Sequence, residues 1–276
     1  MKIKFYAPQW GNTLPFDAFC SHVKSAGYDG VEMALPFDRE ETDVILEALA
    51  KHGLELIGQY WQSFERDIDA HAASYEKCLR NLIAAKPVFI NCQTGKDYFS
   101  FDHNKRLFDL AASLAAESGI PIIHETHRGK SLYAAHVTHG YLSQIPDLRI
   151  TLDISHWCNV HESLLEDQVE EVALAIAHTD HIHSRVGHAE GPQVNDPRAP
   201  EWAETLETHL QWWDQVVASH HAKQSQLTVT TEFGPSPYMP SLPYAQTPVA
   251  SQWDINVYMM NLLKERYRQE TASARH

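Results

Sequence analysis

His181, Ile182, His183, Ser184 and Arg185 follow Asp180 in one short run, and strand alternation puts His181, His183 and Arg185 on the same face. Two imidazoles and a guanidinium pointing one way make a poor apolar core. They suit a metal and an oxygen-rich ligand. Three other short apolar runs end similarly: Pro121-Ile122-Ile123-His124 leads into Glu125, Ile150-Thr151-Leu152 into Asp153, and Thr228-Val229-Thr230-Thr231 into Glu232. If these runs are neighbours, Glu125, Asp153, His183 and Glu232 can surround one ion. Three carboxylates and an imidazole form a hard, oxygen-dominated set that favours Mn2+, Mg2+ or Co2+ and also admits Zn2+. A divalent ion chelated by a carbonyl and a hydroxyl oxygen stabilises an enediolate as a Lewis acid. A carboxylate on each face of the substrate can then remove a proton from carbon and return it.

The elements that must position these residues alternate strand and helix. Strand candidates cover residues 3–7, 30–34, 54–59, 87–92, 121–125, 150–153, 181–185 and 228–233. Between them lie segments with helical spacing, such as Phe16, Phe19, Cys20 and Val23, or Leu107, Leu110, Ala111 and Leu114. Gly27, Gly53 and Gly119 stand where helix should give way to strand. Eight β-α units predict a parallel sheet closed as a single (β/α)8 TIM barrel over residues 1–268, with residues 269–276 as a frayed C-terminal tail. An open doubly wound sheet is the alternative. It usually carries a glycine-rich turn after its first strand, where this chain reads Ala7-Pro8-Gln9-Trp10-Gly11-Asn12. Long connections at 186–200 and 234–248 follow strands that end in candidate ligands, and are expected to build the active-site face.

The segments His124-Glu125-Thr126-His127, Leu152-Asp153-Ile154-Ser155-His156, His181-Ile182-His183 and Thr231-Glu232-Phe233-Gly234 resemble the xylose-isomerase-like barrel superfamily. That group contains ketose 3-epimerases, sugar-phosphate isomerases, inosose dehydratases and type IV AP endonucleases. The resemblance spans the chain in strand order and is sharpest from residue 121 onward. It implies that Glu125 and Glu232 bind the metal and act as acid and base on opposite faces of a sugar, with Asp153 and His183 as the other ligands. It also implies substrate contacts from His156, three residues after Asp153, and from Arg185, which lies closer to the ligand His than in the 3-epimerases. Ser131 stands where those epimerases have a Glu, which points away from a ketose 3-epimerase specificity.

Further substrate-binding candidates follow from position. Glu32 ends the second strand candidate and could bond a sugar hydroxyl, and Trp10 and Trp61, with Tyr60, Phe99 and Trp157, could wall a cleft. His127, Arg128 and Lys130 follow the fifth strand and could meet a carboxylate or phosphate. The loop after the eighth strand holds Pro235 and Pro237 and no Lys or Arg through Pro248, which favours an unphosphorylated sugar. His181, one layer deeper than His183, is expected to be a hydrogen-bonded supporting residue.

The expected function is a divalent-metal-dependent sugar isomerase or epimerase. An inosose-type dehydratase and a hydroxypyruvate-type isomerase would share the metal site. An AP endonuclease requires extra His ligands after strands 3 and 4, where the chain has Gln59-Tyr60 and Cys92-Gln93. A formal charge of −14 also opposes a nucleic-acid partner. A non-catalytic sugar-binding protein would use the same cleft. Cys20, Cys78, Cys92 and Cys158 form no CxxC pair, no apolar run approaches membrane-spanning length, and the first residues lack an apolar leader. These features predict a cytoplasmic protein with buried thiols and no membrane partner, acting on a small sugar or sugar acid, as a monomer or a homo-oligomer.

Overall fold

Eight parallel strands close on themselves in chain order: β1 (Ile3–Pro8), β2 (Gly30–Met33), β3 (Glu55–Tyr60), β4 (Ile90–Cys92), β5 (Ile122–Glu125), β6 (Ile150–Leu152), β7 (Thr179–His183) and β8 (Leu227–Thr230). The computed structural model describes residues 2–62 and 64–273. The β1–β8 ladder, with Ile3 to Tyr6 against Leu227 to Thr230, completes the barrel and excludes the open sheet. Helices α1 (Phe16–Ala26), α2 (Arg39–His52), α3 (Ile68–Ala84), α4 (Phe101–Ser118) and α5 (Ala135–Gln144) follow the first five strands. Next come α6 (Ser155–Val160), α7 (Val169–His178), α8 (Ala203–Lys223) and α9 (Gln252–Ser273). Gly27 and Gly53 cap α1 and α2 at φ of 95° and 60°, a conformation that carries no steric penalty only for glycine.

Alternation along each strand builds two cores. Outward residues such as Phe5, Val31, Ile90, Leu152 and Val229 pack against Phe19, Leu79, Leu107, Ile176 and Val216 of the helices. Inward residues Tyr6, Ile57, Phe89 and Ile123 form a separate plug inside the barrel. Truncating one of these, for example Ile57→Ala, would leave a cavity costing about 2–5 kcal/mol. Towards the strand C-termini the inward residues turn polar. Glu32, Asn91, His181 and Thr230 come first, all buried, then Glu125, Asp153, His183 and Glu232. The plug gives the charged residues a rigid base.

Three strands stop short of their expected ends at residues 153, 185 and 233. Beyond Leu152 and Thr230, several backbone N–H groups turn from the ladder to side chains. Asp153 N–H donates to Thr126 Oγ1 at 2.8 Å, Phe233 N–H to Asn256 Oδ1 at 2.9 Å, and Gly234 N–H to Gln193 Oε1 at 2.7 Å. The β6–β7 pairing shifts by one residue near Thr151, so that Thr151 faces His181 and Leu152 faces Ile182. The extra residue, Asp180, points out to a two-pronged pair with Arg149. The shift brings His183 level with Asp153. At the other end of the chain α9 runs through Ser273, and residues 274–276 of the expected tail lie outside the described residues. All four cysteines are buried and free. Among the described residues no helix is long and apolar enough to cross a membrane.

Candidate metal centre and cleft

Glu125 closes β5, Asp153 follows β6, His183 closes β7 and Glu232 follows β8. Their candidate ligand atoms all lie within 4.8 Å of one another. That spread fits donors about 2.0–2.4 Å from one central ion. His183 is oriented by what lies below it: Nε2 sits 3.1 Å from both oxygens of Glu32, and Nδ1 faces the three carboxylates. Nδ1 is 2.8 Å from Glu232 Oε2 but off the line of a hydrogen bond, so it is a buried nitrogen without a hydrogen-bond partner. An unpartnered nitrogen turned towards three carboxylate groups is a donor set that a divalent cation completes.

The electrostatics agree. Burial, reinforced by the Glu232 and Asp153 charges and opposed by His183, pushes Glu125 up to about 8. Burial also raises Asp153, against the pull of Arg185. Burial acts upward on Glu232 too, but His183 and Arg185 more than offset it and hold that carboxyl below its usual range. His183 itself is held well above an ordinary imidazole: burial opposes its charge, and Glu232, Glu32 and Glu125 outweigh burial. Three carboxyls crowd one imidazole, and a bound cation would favour the ionised form of each carboxyl.

Supporting side chains fix each ligand. Thr126 Oγ1 donates to Asp153 O at 2.9 Å while accepting the Asp153 N–H, and Ser155 Oγ donates to Asp153 Oδ1. Asn91 Nδ2 donates to Glu32 at 2.8 Å and Glu125 at 3.1 Å. Gln59 Nε2 donates to Glu232 at 3.2 Å and Gln93 Nε2 to Glu125 at 3.4 Å. Sequence reasoning passed over Asn91, Gln59 and Gln93 as ligand supports. Their signal was phase alone, since Gln59 stands two residues beyond inward Ile57 and Gln93 two beyond Asn91.

A cleft of about 380 Å³ opens above this cluster, lined by Trp10, Trp61, His127, Arg185 and Glu232 among others. The other expected contacts sit elsewhere. Glu32 is 2% exposed and binds His181, His183, Thr230 and Asn91, so it supports the ligands from below and does not reach the cleft. His181, as expected, is a supporting residue held by Thr228 Oγ1 at 2.7 Å. His156 is fully buried, with its ring 3.8 Å from that of His127 and its Nε2 accepting from Arg185 at 2.7 Å. Arg128 donates to Asn159 at 3.1 Å and lies over the ring of Tyr238, and is not itself a lining residue of the cleft. Arg185 is 1% exposed and donates to Asp153, Ser155, His156 and the Glu232 carbonyl. Trp157 is a packing residue, its Nε1–H donating to Leu132 O at 3.1 Å. Tyr238, unforeseen because its proline-rich loop has no periodicity, meets Trp10 edge-on at 5.0 Å over the cleft.

The barrel and its site place the chain among known proteins. It belongs to the xylose isomerase-like TIM barrel family, whose model matches residues 20–193. It is 25% identical to an inosose dehydratase of Mesomycoplasma hyopneumoniae over 181 residues, 57% of this chain and 59% of that protein. The chain thus matches less than two thirds of that relative's length. Among solved structures, a 3-keto-D-glucoside 4-epimerase of E. coli superposes with a TM-score of 0.60 at 14% identity, covering 96% of this chain and 100% of its own. A probable 3-DHS dehydratase of Bacillus anthracis gives 0.59 at 16%, covering 95% and 98%. A Mycobacterium smegmatis barrel of this family, in complex with magnesium, gives 0.62 at 10%, covering 95% and 97%. At these identities the structures share the fold.

Proposed function

We propose that the chain is a divalent-metal-dependent sugar isomerase or epimerase that moves a proton at a carbon next to a carbonyl. The observation that carries this reading is the convergence of Glu125, Asp153, His183 and Glu232 around an unpartnered imidazole nitrogen, at the base of a cleft. Those four side chains would hold the ion. Mn2+, Mg2+ and Co2+ suit the set best, and Zn2+ is accommodated. When bound, the ion supplies Lewis-acid stabilisation of the charge that develops on substrate oxygens.

Glu232, on the cleft wall, and Glu125, beside it, form the proton-moving pair. Without the ion, burial raises Glu125 while His183 and Arg185 hold Glu232 below its usual range; a bound cation would favour the ionised form of both, leaving either able to take up a proton and return it. Gln59 and Gln93 keep both carboxylates aimed. Arg185 and His127 border the substrate, and His156 acts through both of them. Trp10 and Trp61 supply apolar faces for a sugar and keep water away from the reacting carbon.

A second reading, an inosose-type dehydratase, is favoured by the similarity to the Mesomycoplasma protein. There one carboxylate would remove a proton while the other carboxyl protonates the hydroxyl on the next carbon, which leaves as water. A hydroxypyruvate-type isomerase would use the same groups. An endonuclease fits less well, because amides stand at Gln59 and Gln93 where further imidazole ligands would be needed. The test incubates Mn2+-loaded protein with ketoses, aldoses and inososes in D2O. Deuterium at carbon in recovered sugar supports isomerisation or epimerisation. Loss of water supports the dehydratase, and binding without either supports a sugar-binding protein. Glu125→Gln and Glu232→Gln should each lower turnover by about 10²-fold or more, while His156→Ala should mainly weaken substrate binding.

A further inference from the structure

The cleft wall is nearly free of charge that a substrate could answer. Its charged members are Arg185 and Glu232, 3.6 Å apart and both committed to the ligand cluster. The remaining polar groups are the amides of Gln9, Gln59 and Gln93 and the imidazole of His127, whose Nδ1 lies 2.7 Å from the Arg128 carbonyl oxygen. Lys130, on the loop after β5, donates its Nζ to the Trp61 carbonyl at 3.1 Å. Arg128 is turned to Asn159 and Tyr238. Neither lines the cleft. The loop after β8 offers no nest of backbone donors: Pro235 and Pro237 have no N–H, Gly234 N–H is bound to Gln193, and Met239 N–H to Pro235 O.

Amides are the opposite kind of contact. A carboxamide both donates and accepts, which matches a hydroxyl and gains little from a full charge. Gln59 lines the cleft and uses one N–H on Glu232, and its side-chain amide makes no other hydrogen bond among the described residues. The Gln9 side chain has no hydrogen-bond partner among the described residues. Trp10 and Trp61 add flat apolar surface for the C–H face of a ring. We propose that the cleft selects an uncharged polyhydroxylated compound, such as a ketose or cyclic polyol without phosphate or carboxylate, with Gln9 and Gln59 as the specificity-determining contacts. This rests on the metal-dependent reading of the same site and names its substrate class.

The experiment titrates Mn2+ first, then D-glucitol, its 6-phosphate and D-gluconate into the Mn2+-loaded chain, following Trp fluorescence and heat. Glucitol is expected to bind at least about tenfold more tightly than either anion. Gln9→Ala and Gln59→Ala are each expected to weaken glucitol about tenfold, and Gln9→Ala, which touches no ligand, to leave Mn2+ affinity unchanged. Tighter binding of the phosphate or gluconate overturns the proposal. So does an unchanged glucitol affinity in both variants, or no binding of glucitol at millimolar concentration. Failure to bind Mn2+ instead sinks the metal-dependent reading; the same ranking is then expected on the metal-free chain, and a reversed order there overturns the proposal.

Discussion

Glu32 holds His183 from below, with both carboxylate oxygens 3.1 Å from Nε2, and this contact turns Nδ1 towards the carboxylates above. A carboxylate behind a ligating imidazole fixes its tautomer and raises its basicity. Glu32→Gln should therefore weaken Mn2+ binding by about 10- to 100-fold with the barrel intact. Isothermal titration read alongside circular dichroism checks this. An unchanged affinity would remove Glu32 from the metal site.

Arg185 faces Asp153 inside the barrel, where both groups are almost wholly buried. Removing one partner of such a pair leaves an isolated buried charge. Arg185→Met should destabilise the metal-free chain by about 3–5 kcal/mol. Saturating Mn2+ should restore part of the loss, because the ion answers the same carboxylate. Chemical denaturation with and without Mn2+ gives both numbers, and an equal loss in the two conditions would contradict the shared role.

His209 on α8 accepts the Gly187 N–H at its Nε2, 3.1 Å away, while its Nδ1–H donates to Thr205 O at 2.8 Å. Protonating Nε2 would set two donors against each other. Burial pushes this imidazole down to about 4, below its unfolded value of about 6.5. The folded pKa is the lower one, so the contribution is fully present above pH 6.5 and is lost as pH falls through 4. It amounts to on the order of 3 kcal/mol. Melting temperature should drop on acidification across that window, and less steeply in His209→Leu. Identical slopes in the two proteins would assign the acid sensitivity to other groups.

Gly234 packs under Trp10: a Cβ there would come within 2.2 Å of the indole ring. Gly234→Ala should push Trp10 out of the cleft wall, costing about 1–3 kcal/mol and weakening polyol binding more than Mn2+ binding. Trp fluorescence and the two titrations test this together, and equal losses would mean that the ligand cluster had moved as well.

The barrel was legible because its signals are local and repeated: strands at regular intervals, glycine stops, helical faces. Glu125, Asp153, His183 and Glu232 were legible because each ends an apolar run, where alternation fixes the direction of the side chain. Glu32 and Arg128 were harder. A sequence gives the face of a strand but not the depth of a residue along it, and so Glu32 reads as a cleft residue when it lies a layer below. Arg128 sits on a loop, where no period tells which way a guanidinium turns. The β6–β7 register shift that brings His183 level with Asp153 leaves no mark in composition.

All four candidate ligands come from β5–β8, while Gln9, Gln59, Asn91 and Gln93 come from β1, β3 and β4 or the residues just after them. The half of the chain that supplies the candidate ligands is thus distinct from the half that supplies these amides. Exchanging Gln9 can admit new molecules while the proton-moving groups stay in place, whereas exchanging Gln59 or Gln93 also frees the carboxylate that the amide aims. Retargeting such a barrel therefore begins at position 9.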